Sequence, residues 1–244
     1  MIPHDLTRVL LGATLLILGT APASAQVPYG EGADVPDRSE IYSPYVERTE
    51  NDKNFAEGLF WGDTHLHTNY STDAGMVGNK LGPDEAYRFA KGEEVLSSTG
   101  QRAKLIRPLD FLVVSDHAEN LGLAPMIAES NPDLLRTEYG KKWHDMVKSD
   151  KGYDAFLEWA ASVQDGDKIN SEKMQRTVWD RQIDAAEAHN EPGRFTALSG
   201  FEWSSLGTRE TPSNLHRVVI FKDGGDRARR VIPFSAFDSI DPED

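Results

Sequence analysis

The chain has 244 residues, with 40 acidic and 26 basic side chains and a formal net charge of -14 at pH 7. A balance this acidic excludes strong non-specific binding to nucleic acid or to an anionic membrane, because both are themselves negatively charged. Cysteine is absent, so the chain has no disulfide framework, and any bound metal must be held by His, Asp or Glu.

The first 25 residues have the pattern of a secretory signal peptide. A short polar start leads into an apolar run, and Ala23-Ser24-Ala25 provides a small-x-small cleavage signal. A signal peptide normally begins with a positively charged region, but Asp5 offsets the charge of Arg8 here. A retained membrane anchor therefore remains the alternative. We therefore expect a secreted or periplasmic protein with the segment 1–25 removed.

The mature chain begins with an extended arm at 26–54, which is rich in Pro, Gly, Asp and Glu and has no clear period. Residues 55–244 are enough for one α/β domain. Its first predicted strand, 59–67, ends in His65 and His67. Side chains two residues apart in a strand share a face, so both imidazoles can reach one ion. On its own, however, His-x-His is a weak indication of a metal site.

The next elements suggest buried strands connected by helices. Pro83 begins a helix with acidic residues in its first turn. The run 109–115 is apolar on both faces, as in a parallel sheet, and it ends directly in Asp116 and His117. The region 119–190 is mainly helical. It is longer than the single crossover helix of a β-α unit, so we expect an insertion that could overhang a site.

Two more strands follow the helical region. The strand 195–201 ends in Glu202, and the strand 215–221 carries His216 near its beginning. Alternating strands and helices predict a parallel α/β sheet or barrel, in which sites lie at the carboxyl ends of the strands. Metal-ligand side chains follow three successive strands here, which indicates a metal site far more strongly than His-x-His alone.

Together these motifs resemble the PHP (polymerase and histidinol phosphatase) metallohydrolase superfamily, and more narrowly its domain-of-unknown-function 3604 branch. The most specific segments are Phe-Trp-Gly-Asp-x-His-x-His-Thr-x-x-Ser-x-Asp at 60–73 and Val-Val-Ser-Asp-His-Ala-Glu at 113–119. The resemblance implies an irregular, TIM-like (β/α)7 barrel holding two or three divalent metal ions (Mn, Zn or Fe). About four of its strands are visible and no Asp-x-His follows His216, so we expect the N-terminal portion of a longer hydrolase domain.

The same resemblance assigns site residues by motif. It implies these metal ligands: His65, His67, Asp73, His117, Glu202 and His216. Of these, it implies that His65, His67, His117 and Glu202 also form the catalytic set. Asp73 could instead be an ordinary turn residue, and His216 an ordinary strand residue. Asp63 and Asp116 are expected to accept a hydrogen bond from a ligand histidine and fix its tautomer, although either could be a plain strand-end acid.

The implied activity is metal-dependent hydrolysis of phosphate or sulfate esters by a hydroxide that bridges two ions. Phosphate and sulfate are nearly isosteric, so the ligand set does not choose between them. The expected partner is a small anionic ester. We expect no binding to nucleic acid, and none to a membrane after the signal peptide is cleaved, and the sequence does not indicate an oligomeric state. A non-catalytic or degenerate metal-binding protein is the alternative, because late ligands are missing. For the same reason we expect this chain alone to be inactive or weakly active.

Overall fold

A mixed sheet organises the structure, which is a computed structural model that describes residues 58–169, 172–207 and 212–239. The predicted signal peptide at 1–25 and arm at 26–54 lie outside these residues. All described residues belong to one compact unit. Within these ranges, no helix is both long and apolar enough to cross a membrane.

Four strands form the central sheet in the order β1-β4-β5-β6, and two short strands pair separately. In chain order the strands are β1 (Gly62–Leu66), β2 (Val95–Leu96), β3 (Arg102–Ala103), β4 (Phe111–Val114), β5 (Thr196–Gly207) and β6 (Pro212–Ile220). β1, β4 and β5 are parallel, as the sequence predicts, and the central sheet curls into half a barrel. The antiparallel pair of β2 and β3 was not predicted.

The direction of β6 differs from the parallel arrangement that the sequence pattern predicts, because β6 pairs antiparallel with β5. β5 ends at Gly207 and β6 begins at Pro212, so the connection has the length of a hairpin loop. A parallel neighbour would need a crossover of about a dozen residues or more. The hairpin brings His216 opposite Ser204 in the register, two residues beyond Glu202.

Helices cover the sheet and fill the region between β4 and β5. In chain order they are α1 (Thr72–Gly75), α2 (Pro83–Ala90), α3 (Leu123–Ala128), α4 (Glu138–Lys148), α5 (Gly152–Ser162), α6 (Glu172–His189) and α7 (Gly225–Ala228), with 3-10 turns at Leu134–Arg136 and Val163–Asp165. Pro83 begins α2 as predicted, and Glu85 accepts a hydrogen bond from Gly82 N at 2.9 Å, which closes its first turn.

The predicted helical insertion at 119–190 contains α3 to α6 and packs into the main core. α6 joins it to the sheet, because Trp179 is fully buried and stacks edge-to-face on Phe201 of β5, with the ring centroids 6.0 Å apart. Aromatic pairs of this geometry contribute roughly 0.5–1.5 kcal/mol beyond area burial. The helical region therefore supports the sheet from one side.

Gly122 allows α3 and α6 to approach closely. Its φ is +82°, and a Cβ at this position would lie 2.4 Å from a methyl group of Val178. We expect Gly122→Ala to lower the free energy of unfolding by about 2–5 kcal/mol, through left-handed strain and overpacking together. Urea denaturation measures the change.

Gly100 provides the matched control, because its φ is +85° and a Cβ there would meet nothing within 4 Å. Gly100→Ala should show the backbone strain alone, about 1–2 kcal/mol. Equal losses in the two variants would contradict a steric role for Gly122.

Candidate metal centre

Four imidazoles surround the carboxylate of Glu202, whose side chain is 1 % exposed. Its Oε1 lies 2.9 Å from His65 Nε2 and 3.0 Å from His216 Nδ1. Its Oε2 lies 2.7 Å from His67 Nε2 and 3.3 Å from His117 Nδ1. The structure therefore brings five of the predicted ligands together around one buried carboxylate.

The first two histidines reach this cluster through the alternation of β1. His65 lies in the strand and His67 directly follows it, while Leu66 between them packs towards the core with Leu112 and Val114. Glu202 comes from β5, which continues beyond it and pairs with β6 rather than ending there as predicted. The ligands therefore come from segments far apart in sequence.

Asp73, the sixth predicted ligand, lies on the other side of His67 and His117. Its Oδ2 is 3.4 Å from His67 Nδ1 and 3.7 Å from His117 Nε2. Ser71 fixes this turn, because its hydroxyl donates to Asp73 Oδ1 at 2.6 Å and accepts from His117 N at 3.2 Å. Asp73 is therefore placed either to bind an ion or to orient the two imidazoles.

Three overlapping groups of side chains could hold a metal ion: His65, His67 and Glu202; His67, Asp73 and His117; and His117, Glu202 and His216. Metal bonds of roughly 2.0–2.2 Å place neighbouring ligand atoms roughly 3 Å apart, which matches the distances around Glu202. His67 Nε2 and both carboxylate oxygens of Glu202 are also buried without a hydrogen bond of normal geometry. Such atoms are costly unless an ion satisfies them, so the donor set fits a divalent metal.

The electrostatics of the cluster favour a positive charge beside Glu202. Burial lowers the pKa of His67, but Asp73 and Glu202 outweigh burial and raise the pKa to about 10. Burial raises the pKa of Glu202, but contact with His67 and the charge of His117 outweigh it and lower the pKa to about 2. The two carboxylates thus stabilise a cation at this position, which is the electrostatic condition for binding a metal ion.

The predicted hydrogen bonds from a ligand imidazole to Asp63 and Asp116 are not made. Asp63 Oδ1 accepts instead from the backbone N of His65 at 2.8 Å. Asp116 is fully buried and accepts from the backbone N and the hydroxyl of Thr68, and burial raises its pKa to about 6. Both carboxylates therefore hold the backbone in and directly after the His-x-His segment rather than the tautomer of an imidazole.

Sequence reasoning missed the role of Glu119, a buried carboxylate beside His117. Its Oε2 lies 3.4 Å from His117 Nδ1, and its Oε1 accepts from the backbone N of Ser204 and of Ala236. The Ser204 hydroxyl also lies 3.0 Å from His117 Nδ1. The only signal in the sequence was its position two residues after His117, at the end of the Val-Val-Ser-Asp-His-Ala-Glu segment.

The fold and the cluster define a mixed α/β protein with His and Glu groups that could hold a metal ion. Residues 54–244 match the family described as a protein of unknown function (DUF3604), and the chain belongs to that family. Comparisons with curated proteins and with solved structures returned no match.

Proposed function

We propose that the protein is an exported, metal-dependent hydrolase of phosphate or sulfate esters. The observation that carries this proposal is the convergence of four imidazoles on the buried carboxylate of Glu202. The cluster is open on one side, since the side chain of His65 is 48 % exposed and that of His216 is 30 % exposed. A small anionic ester could reach the centre from this side.

Two of the three ligand groups meet at Glu202, and we assign one divalent ion to each of them. His65 and His67 would hold one ion, His117 and His216 the other, with one carboxylate shared. Ions bound in this way supply hydroxide near neutral pH and neutralise charge on the oxygens of an ester. The same ligand chemistry suits Mn, Zn or Fe.

The residues around the ligands would orient them. Asp73 faces His67 Nδ1, which leaves Nε2 directed at Glu202 and free to bind metal. Glu119 and Ser204 contact His117 at Nδ1, the nitrogen that also faces Glu202, so they restrain its ring on the side of the carboxylate. Asp116 fixes the backbone that follows His67 through its two hydrogen bonds with Thr68. A preorganised centre of this kind needs no serine or cysteine nucleophile.

We further propose that the protein is a PHP-type metallohydrolase. Its motifs occur in the order His-x-His, Asp-His, Glu and His, and they lie at the end of β1, after β4, in β5 and in β6. The half-barrel sheet is compatible with part of a (β/α)7 barrel. Export is proposed from the apolar run and the Ala23-Ser24-Ala25 signal, which lie outside the described residues.

The proposal is tested by hydrolysis of p-nitrophenyl phosphate and p-nitrophenyl sulfate with Mn²⁺ or Zn²⁺ added to the chelator-treated protein. We expect metal-dependent turnover, weak in this chain and stronger in a longer protein that contains it, that His65→Ala abolishes and His144→Ala preserves. His144 contacts Asp145 and Ser130 outside the cluster. His144→Ala therefore removes a histidine without removing a candidate metal ligand. The two esters distinguish phosphatase from sulfatase activity. If this chain and any longer protein that contains it bind metal but hydrolyse neither ester, the hydrolase proposal is wrong. The alternative, a non-catalytic metal-binding protein, then remains.

A further inference from the structure

The parallel ladder between β4 and β5 is interrupted just before it reaches the metal centre. Regular pairing ends at Val114 and Ser199, and one isolated pair, His117 and Glu202, follows. The register is the same on both sides of the interruption, so no extra residue is inserted as it would be in a β-bulge. The two strands therefore stay aligned, and Glu202 N still donates to Asp116 O at 3.0 Å, so the interruption is confined to one step of the ladder.

One backbone hydrogen bond is missing at this interruption. In an unbroken ladder of this register, Asp116 N would donate to Gly200 O, but that bond is not made. The side-chain amide of Gln182 on α6 donates instead, from Nε2 to Gly200 O at 2.8 Å and to Val114 O at 3.0 Å. A helix side chain thus takes the place of a strand donor.

A glutamine at this buried position has a cost in stability as well as a gain. Gln182 is 1 % exposed and lies on the buried face of α6, beside Val178, Ile183 and Ala186. Its Oε1 is buried without a hydrogen-bond partner among the described residues, which costs about 1–3 kcal/mol. An apolar side chain would avoid that cost but would remove the donor that Gln182 provides to Gly200 O.

We propose that Gln182 is a positioning residue that sets the distance between β4 and β5 just before His117, which follows β4, and Glu202, which lies within β5. This inference rests on the proposed metal binding. His117 Nδ1 lies 3.3 Å from Glu202 Oε2, and the two residues are register partners directly beyond the amide. A change in strand spacing at Gln182 is therefore transmitted to the two ligands. Gln182 contacts neither ligand and acts on them through the strand backbones.

The test is Gln182→Met, which keeps the length of the side chain but removes both N–H donors. We expect the affinity of the full chain for Zn²⁺, measured by calorimetry, to fall about tenfold, as for other residues that orient metal ligands. The visible absorption spectrum of the Co²⁺-loaded protein should also change, since it reports ligand geometry. Gln182→Asn keeps the amide on a shorter side chain. If the methionine variant does not fold, the Zn²⁺ affinity of the asparagine variant provides the test instead.

Trp179→Phe is the matched control, because Trp179 is buried on the same helix and its Nε1 donates to Ala228 O at 3.0 Å rather than to a strand carbonyl, while phenylalanine keeps an aromatic ring against Phe201. It should lower the melting temperature and leave Zn²⁺ affinity and the Co²⁺ spectrum unchanged. The inference is overturned if Gln182 variants bind Zn²⁺ like the wild type, or if Trp179→Phe weakens binding equally. A wild-type chain that binds no metal overturns the proposed function and this inference with it.

Discussion

Glu202→Gln should weaken the binding of Zn²⁺ or Mn²⁺ by at least about 100-fold, or about 2.7 kcal/mol. Both carboxylate oxygens of Glu202 face imidazole nitrogens, and two of the three candidate ligand groups include this residue. Glutamine keeps the shape but removes the charge and replaces one oxygen by an amide donor, which cannot bind a metal ion. Calorimetric titration of the chelator-treated protein measures the loss.

Glu119→Gln is the matched control for this variant. Glu119 is 3 % exposed and Glu202 is 1 % exposed, so both changes remove a buried carboxylate from the same region. Glu119 contacts His117 and Ser204 and belongs to none of the candidate ligand groups. We expect its loss to weaken binding about tenfold, through the orientation of His117. Equal losses in the two variants would contradict the central role of Glu202.

The placement of the histidines was predictable because it depends on local pattern. Alternation in β1 puts His65 and His67 on one face and Leu66 on the other, as the structure shows. The apolar run before Asp116 and His117 indicated a buried parallel strand, and β4 is such a strand. Parallel strands align their carboxyl ends, so residues distant in sequence meet there.

The remaining features depend on the register between strands, which no local pattern specifies. His216 reaches Glu202 because β6 returns as a hairpin, and the short connection after β5 was the only sequence signal for that direction. Gln182 looks in sequence like one polar residue on an amphipathic helix. The role proposed for it follows from one missing hydrogen bond between two strands, which is visible only in the folded chain.

The partners of the carboxylates were unpredictable for a related reason. Asp63 and Asp116 bind backbone groups in and directly after the His-x-His segment, whereas Glu119 approaches the imidazole of His117. All three are acids within two residues of a candidate ligand, so sequence spacing does not separate them. What separates them is the direction of each side chain relative to the curled sheet, which long-range packing sets.

Removal of bound metal should lower the melting temperature by about 5–11 °C relative to protein held at a free metal concentration of about 100 times the dissociation constant. At that ratio the ion stabilises the folded state by about 2.7 kcal/mol. A chain of this size shifts its midpoint by about 2–4 °C per kcal/mol. The physical reason is that the ligands come from β1, β5, β6 and the segment after β4, so an ion would crosslink segments that separate on unfolding.

Thermal melts with and without a chelator measure this shift, and the variants show where it originates. Glu202→Gln should keep at most about 1–2 °C of the shift, because a site weakened 100-fold is only half-occupied at that concentration and stabilises the chain by about 0.4 kcal/mol. His144→Ala should retain the full shift, since His144 lies outside the cluster. A shift of the same size in Glu202→Gln would mean that the ion binds elsewhere on this acidic chain, and the centre around Glu202 would lose its support.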